Sequence, residues 1–150
     1  MKFTKDEIRK SMLLYAVTDQ MWLKEGEKLA DVVESVLKNG ATFLQIREKD
    51  LAEDAFEAEA ERLKTLCAQH GVPFVVNDSV EIAIQCNADG VHVGQSDIKG
   101  RDIRAIIGPD KILGISAGTV EEVARRVWEA YKNIQKAKDM KQYHNKVFSN

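Results

Sequence analysis

The sequence predicts an α/β chain of repeated strand–helix units, with about five parallel strands and a long C-terminal helix. Three observations carry this. Short apolar runs recur at 13–17, 41–46, 73–76, 91–93 and 112–115. Each run ends in a polar cluster: Thr18-Asp19, Gln45-x-Arg47-x-Lys49, Asn77-Asp78, His92-x-Gly94-Gln95-x-Asp97 and Ser116-Ala117-Gly118-Thr119. Stretches with helical apolar spacing separate the runs. Apolar strands with polar C-terminal ends are how a parallel α/β enzyme assembles its chemistry on one rim.

The elements follow in order. Residues 1–11 are polar, helical or frayed. Strand one covers 13–17. A helix over 26–39 places Leu29, Val32, Val33, Val36 and Leu37 at 3–4 spacing, and Gly40 suits a left-handed cap. Strand two covers 41–46. A helix over 51–70 stops at Gly71, and Pro73 opens strand three, where a missing N–H is tolerated. A short helix spans 80–86, Asp89-Gly90 turns into strand four, and a further helix spans 98–107. Gly108-Pro109 ends it before strand five at 111–115. Thr119-x-x-Glu122 has the pattern of a capping box. It opens a long helix with Val120, Val123, Val127, Tyr131 and Ile134 at apolar positions. The alternation implies right-handed crossovers, a parallel sheet and one domain over 1–150.

A closed eight-stranded barrel takes roughly 200–250 residues. Five strands fit here, and after Ile134 the chain turns polar, with Lys136, Lys138, Lys141 and Lys146 against Asp139. The pattern fits an open doubly wound sheet, or most of a barrel without its last part.

Bulk properties exclude several classes. The 150 residues suffice for one domain with a core, and 44% hydrophobic with 31% charged residues is ordinary for a globular protein. A formal net charge of −2 gives no general attraction to nucleic acid or membrane. No run approaches the ~20 apolar residues of a membrane span, and the N-terminus has no secretory apolar core. Cys67 and Cys86 have no metal or redox spacing and read as buried, reduced thiols. The expected location is cytoplasmic.

The clusters carry the chemistry. Gln45, Arg47 and Lys49 alternate, so in a strand they share one face at about 6.6 Å per step. A guanidinium fork beside an ammonium suits a pyrophosphate. A strand-end salt-bridge cluster with Glu48 and Asp50 is the plainer alternative. Asp78 and Asp97 follow adjacent strands, whose ends lie about 4.8 Å apart. Two such carboxylates repel unless a cation lies between them, and Mg²⁺ shared with substrate phosphate oxygens is the expected form. Alternatively, Asp78 only caps the next helix. His92 sits mid-strand, opposed to Val91 and Val93, and reads more simply as packed than as catalytic. Ser116 lacks a nucleophile-elbow context and an obvious histidine partner, against a serine-nucleophile mechanism.

Taken together, five stretches resemble the thiamine-phosphate synthase family, also called thiamin phosphate pyrophosphorylase. They are Leu14 to Asp19, Gln45 to Lys49, Val76 to Asp78, Ala88 to Asp97 and Leu113 to Ala117, in the family's order, within a match over about 12–125. The resemblance implies an incomplete TIM-type barrel and a divergent, polar helical tail over 126–150. It implies coupling of hydroxymethylpyrimidine pyrophosphate with hydroxyethylthiazole phosphate, giving thiamine phosphate and pyrophosphate. Arg47, Lys49 and Asn77 would hold the pyrophosphate, Asp78 and Asp97 the Mg²⁺, and Gln45 and Ser116 the pyrimidine. Arg47, Lys49 and Ser116 would be the catalytic set. No protein nucleophile is needed, because the aminopyrimidine can delocalise the cation left when pyrophosphate departs.

Two departures stand out. Gly118 occupies a position where many family members, and the related thiazole tautomerase, carry histidine, which argues against the tautomerase. The family's Pro-Thr-x-Thr-Lys-type loop after strand six, and its glycine-rich loops after strands seven and eight, have no counterpart. The expectation is therefore a truncated chain with an incomplete thiazole-phosphate site. Alternatives are a catalytically impaired Mg-pyrophosphate-binding fragment, or an interaction module assembling through open sheet edges. Self-association to a homo-oligomer is expected from those edges.

Overall fold

The computed structural model describes residues 2–148, with the side chains of Trp22, Asn133, Ile134, Lys136, Ala137 and 139–148 left outside the description. The chain divides into two compact units, Met1–Ser116 and Ala117–Asn150.

The first unit is a five-stranded sheet flanked by helices. Its elements are α1 (Lys5–Ser11), β1 (Tyr15–Val17), α2 (Leu29–Lys38), β2 (Phe43–Ile46), α3 (Glu53–His70), β3 (Phe74–Asn77), α4 (Val80–Gln85), β4 (Gly90–Val93), α5 (Ile103–Ile107) and β5 (Ile112–Ile115). Every pairing is parallel, and the strands lie in sequence order β1-β2-β3-β4-β5. A doubly wound sheet reverses its strand order at a switch point, whereas a barrel winds one way. The unreversed order decides between the two readings in favour of the barrel-type sheet.

The sheet is buried on both faces at its centre, as βα crossovers require. One face packs under the helices. Leu44, Ile46, Phe74, Val76, Val91 and Val93 meet the buried stripes Leu29, Val33, Leu37 of α2 and Ala60, Leu63, Cys67 of α3. The stripes recur at three- and four-residue steps, the spacing that aligns one helix face with a core. The other face carries Tyr15, Phe43, Gln45, Val75, Asn77 and His92. The Tyr15 and Phe43 rings touch there at 4.4 Å between centroids, and register pairs Gln45 with Val75 and Asn77 with His92.

Several boundaries differ from the sequence reading, among them the start of β2 at Phe43 rather than 41 and of α3 at Glu53 rather than 51, and three have a visible local cause. β1 begins at Tyr15 rather than 13, because the Leu14 N–H donates to Thr42 Oγ1 at 2.8 Å instead of joining the ladder. The helix expected over 98–107 shrinks to Ile103–Ile107: Gly100 has φ +74°, and Asp102 caps the helix by accepting the Ala105 N–H at 3.1 Å. The helix expected from residue 26 starts at Leu29, after Gly26 at φ +81°. The polar N-terminus forms α1 outright, with a reciprocal cap between Thr4 and Glu7.

Gly71 ends α3 at φ +66°, a left-handed cap as expected. Gly90 has no substitute, because a Cβ there would run into the Ile112 backbone of the neighbouring strand. Both cysteines are free and buried. Burial pushes the Cys67 thiol up to about 12, so it stays protonated and inert.

The second unit is α6 (Val120–Phe148). Thr119 Oγ1 accepts the Glu122 N–H at 3.2 Å, while the Glu122 carboxylate takes the Gly118 N–H at 2.7 Å rather than closing a reciprocal box. The Trp128 and Tyr131 rings stack at 5.6 Å. The expected positions of the Ile134, Lys136, Asp139, Lys141 and Lys146 side chains lie outside the described residues. Among the described residues, no helix is long and apolar enough to cross a membrane.

Candidate active site

The C-terminal ends of β2 to β5 bring polar groups from distant parts of the chain together. The centre is Asp78. It follows β3 with φ +62°, a left-handed backbone that few residues other than glycine, asparagine and aspartate adopt. Ser79, not Asp78, caps α4, since its Oγ accepts the Ile82 N–H at 3.2 Å. The helix-capping alternative for Asp78 therefore falls, and its carboxylate is left for other work.

Asp78 and Asp97 lie close enough for the Asp97 charge to act on the Asp78 carboxyl. Burial, and then the Asp97 charge, push the Asp78 carboxyl above the usual carboxylate range; Lys49 and a hydrogen bond from Asn77 pull the other way. Asp97 is held in turn. Its Oδ2 accepts the Gly94 N–H at 2.7 Å, and its Oδ1 accepts the Ser96 hydroxyl at 3.3 Å. Lys49, Asn77 and Asp78 line an open cleft of about 460 Å³ with Glu48, Phe56 and Ile82.

A second group adjoins the first. His92 Nε2 and Ser116 Oγ lie 2.9 Å apart in hydrogen-bonding geometry, with the donor set by the ring tautomer. The Gln95 amide donates to the Ser116 carbonyl. Burial lowers the His92 pKa, against the opposing pull of the Asp78 charge. The His92 ring lies so close to Gly114 that a Cβ there would collide with Nδ1. Ser116 thus has a histidine partner that the sequence hid, because 24 residues and a helix separate them. The pair is not a catalytic triad: the ring's other nitrogen faces the Gly114 backbone rather than a carboxylate.

Gln45 and Arg47 form a third group. Gln45 is buried, and its amide donates to the Tyr15 hydroxyl at 2.8 Å. Arg47 lies half-exposed, 3.8 Å from Asp19, with its backbone N–H donating to Thr18 Oγ1 at 2.9 Å. β2 ends at Ile46, so strand alternation places only Gln45; Arg47 and Lys49 belong to the following loop. Among the described residues Arg47 pairs with Asp19, not with Glu48 or Asp50, so the local salt-bridge alternative is not realised. Tyr15 and His92 are the members that sequence reasoning did not assign to the site. The signal for His92 was present in its alternation with Val91 and Val93, both fully buried on the opposite face.

The chain matches the model of the family described as thiamine monophosphate synthase over residues 14–134. It belongs to that family. Among curated relatives, it is 45% identical over 118 residues to the thiamine-phosphate synthase of Clostridioides difficile, covering 79% of this chain and 56% of that one. It is 46% identical over 123 residues to the thiamine biosynthetic bifunctional enzyme of Saccharomyces cerevisiae, covering 82% of this chain and 22% of the yeast protein. A solved thiamine phosphate pyrophosphorylase from Pyrococcus furiosus superposes with a TM-score of 0.69 at 29% identity, over 79% of this chain and 56% of that chain. The chain thus spans about half the length of the single-function relatives it matches. Over the matched stretch the Pyrococcus furiosus structure shares the fold described above.

Proposed function

We propose that this chain carries the pyrimidine-pyrophosphate half-site of a thiamine-phosphate synthase. The reaction couples hydroxymethylpyrimidine pyrophosphate to hydroxyethylthiazole phosphate and releases pyrophosphate. One observation carries the reading: Asp78, on strained backbone and relieved of capping, meets Asp97 beside Lys49 and Asn77 at the strand ends.

The donor set fits Mg²⁺. Asp78 and Asp97 offer hard carboxylate oxygens beside one another. A site of one or two carboxylates that leaves room for phosphate oxygens is the usual form for this ion. Asp78 and Asp97 would hold it, and bound there it would neutralise charge growing on the leaving pyrophosphate.

The chain's own residues do the rest. Arg47, Lys49 and Asn77 fix the pyrophosphate oxygens in a partly desolvated mouth, where fixed donors stabilise developing negative charge. Gln45 and Ser116 contact the pyrimidine. Gln45 is oriented by Tyr15 and Ser116 by His92. The carbon–oxygen bond to pyrophosphate then breaks, and the thiazole nitrogen attacks the resulting pyrimidinylmethyl cation.

Calorimetry with inorganic pyrophosphate tests the half-site. Binding should appear with Mg²⁺ and vanish in EDTA. Equal affinity in EDTA would count against the reading.

A second reading, assembly through sheet edges, is favoured by the β1 side. Met12, Leu13, Leu14 and Val17 are exposed there, Leu13 by 85%, and β1 pairs on one side only among the described residues. Apolar surface beside an unpaired edge promotes association. Sedimentation of the 150-residue polypeptide at tens of micromolar should show homo-oligomers. A monomer that unfolds cooperatively would refute this.

A further inference from the structure

Glu48 sits between two residues of the proposed pyrophosphate site and lines the same cleft, yet its carboxylate is engaged by the backbone of the β1–α2 connection. The residue is only 8% exposed. Oε2 accepts the backbone N–H of Gln20 at 3.0 Å, while Oε1 is buried without a partner among the described residues. A half-satisfied buried carboxylate is unfavourable. Such a group persists where it does something packing cannot.

What it does is visible in the segment it grips. Gln20 opens a single 3₁₀ turn, Gln20–Trp22, in the β1–α2 connection. The preceding Asp19 caps that turn through Oδ1, which accepts the Met21 N–H at 3.0 Å. The other oxygen of Asp19 faces the Arg47 guanidinium at 3.8 Å. Thr18 completes the join: its N–H donates to the Gln45 carbonyl at 3.0 Å, and its hydroxyl accepts the Arg47 N–H at 2.9 Å. Consecutive residues 47 and 48 therefore hold one short segment from opposite sides. Glu48 holds it from the buried side, and Arg47 meets it from the open side.

We propose that Glu48 is a positioning residue, which locks the Thr18–Gln20 segment so that Asp19 holds the Arg47 guanidinium in place for an incoming anion. The proposal rests on the reading that Arg47 binds pyrophosphate, but the clamp itself can be read without any ligand. Orientation set in advance matters because a long arginine side chain otherwise has to be ordered on binding. Asp19 also keeps the guanidinium paired until a stronger anion competes for it.

The test combines two variants with two readouts. Glu48→Ala removes the acceptor. Gln20→Pro removes only the N–H donor and leaves Glu48 untouched; proline is tolerated at the first position of a helical turn, and Asp19 already has the extended backbone that a following proline prefers (φ −158°, ψ 112°). NMR of the ligand-free protein reads the order of the Arg47 Nε–H group. Calorimetry reads Mg-pyrophosphate affinity. Both variants should lower Arg47 order, and each should weaken pyrophosphate binding by about tenfold. Either change combined with Arg47→Ala should weaken binding no further than Arg47→Ala alone, because the effect passes through Arg47. Glu48→Gln keeps a carbonyl acceptor and should restore both readouts. If Glu48→Ala does not fold, Gln20→Pro carries the test. Arg47 order unchanged in Gln20→Pro overturns the proposal and leaves Glu48 a structural residue. Reduced order in a protein whose wild type binds no pyrophosphate supports the clamp and removes the pyrophosphate reading instead.

Discussion

Replacing Asp97 with asparagine should lower Mg²⁺-dependent pyrophosphate affinity by about 100-fold, while Asp78→Asn should abolish it and make the protein more stable. The contrast follows from how the two carboxylates are held. Asparagine at 97 keeps an oxygen for the Gly94 N–H, so the loop should survive and only the negative charge is lost. Asp78 is under strain. Its pKa is raised first by burial and then by the Asp97 charge. A carboxyl whose folded pKa lies above its unfolded value takes up protons on folding. Its contribution to stability is present below the unfolded pKa and is lost as pH rises through the folded one. At neutral pH the ionised Asp78 therefore opposes folding, and asparagine removes that opposition. Asparagine also tolerates the left-handed backbone at this position. The expected gain in Tm at pH 7 is about 1–2 °C, small because the group is largely open to solvent, and it should shrink as pH falls below the ordinary Asp range. Metal affinity should move oppositely, rising with pH as Asp78 ionises. Thermal melts and calorimetry across pH check both signs. A destabilised Asp78→Asn variant at pH 7 would contradict the repulsion argument.

The second large effect concerns turnover. The 150-residue polypeptide, supplied with both substrates and Mg²⁺, should form thiamine phosphate at least about 10³-fold more slowly than a relative of full family length. Orienting two reactants contributes about 7–11 kcal/mol of rate acceleration in favourable cases, and much of it depends on holding the second substrate. The family resemblance assigns the thiazole phosphate to loops after strands six to eight, whereas this chain has five strands among its described residues. Pyrophosphate binding should persist where coupling fails. Comparable turnover in a discontinuous assay of thiamine phosphate would show that the five-strand unit holds both substrates.

The alternation of apolar runs and helical stretches is legible in the sequence alone. Strand sidedness needs only the two-residue period, and this is why the sequence by itself sets His92 opposite Val91 and Val93. Helix ends at Gly71 and Gly108 follow from local backbone preference. Membership in the thiamine monophosphate synthase family is legible too, because the clusters at 45–49, 76–78 and 88–97 recur in a fixed order. Local chemistry does not reveal which partner each cluster chooses. Ser79 rather than Asp78 caps α4, Asp19 rather than Asp50 pairs with Arg47, and Ser116 finds His92 on the neighbouring strand. Each outcome depends on strand register and on loops meeting over a sheet, contacts between residues far apart in sequence. The choice between a doubly wound and a barrel-type sheet is of the same kind. Both have alternating strands and helices, and only the hydrogen-bonded order β1-β2-β3-β4-β5 separates them. Composition and periodicity set which residues face inward; long-range pairing set which of them meet.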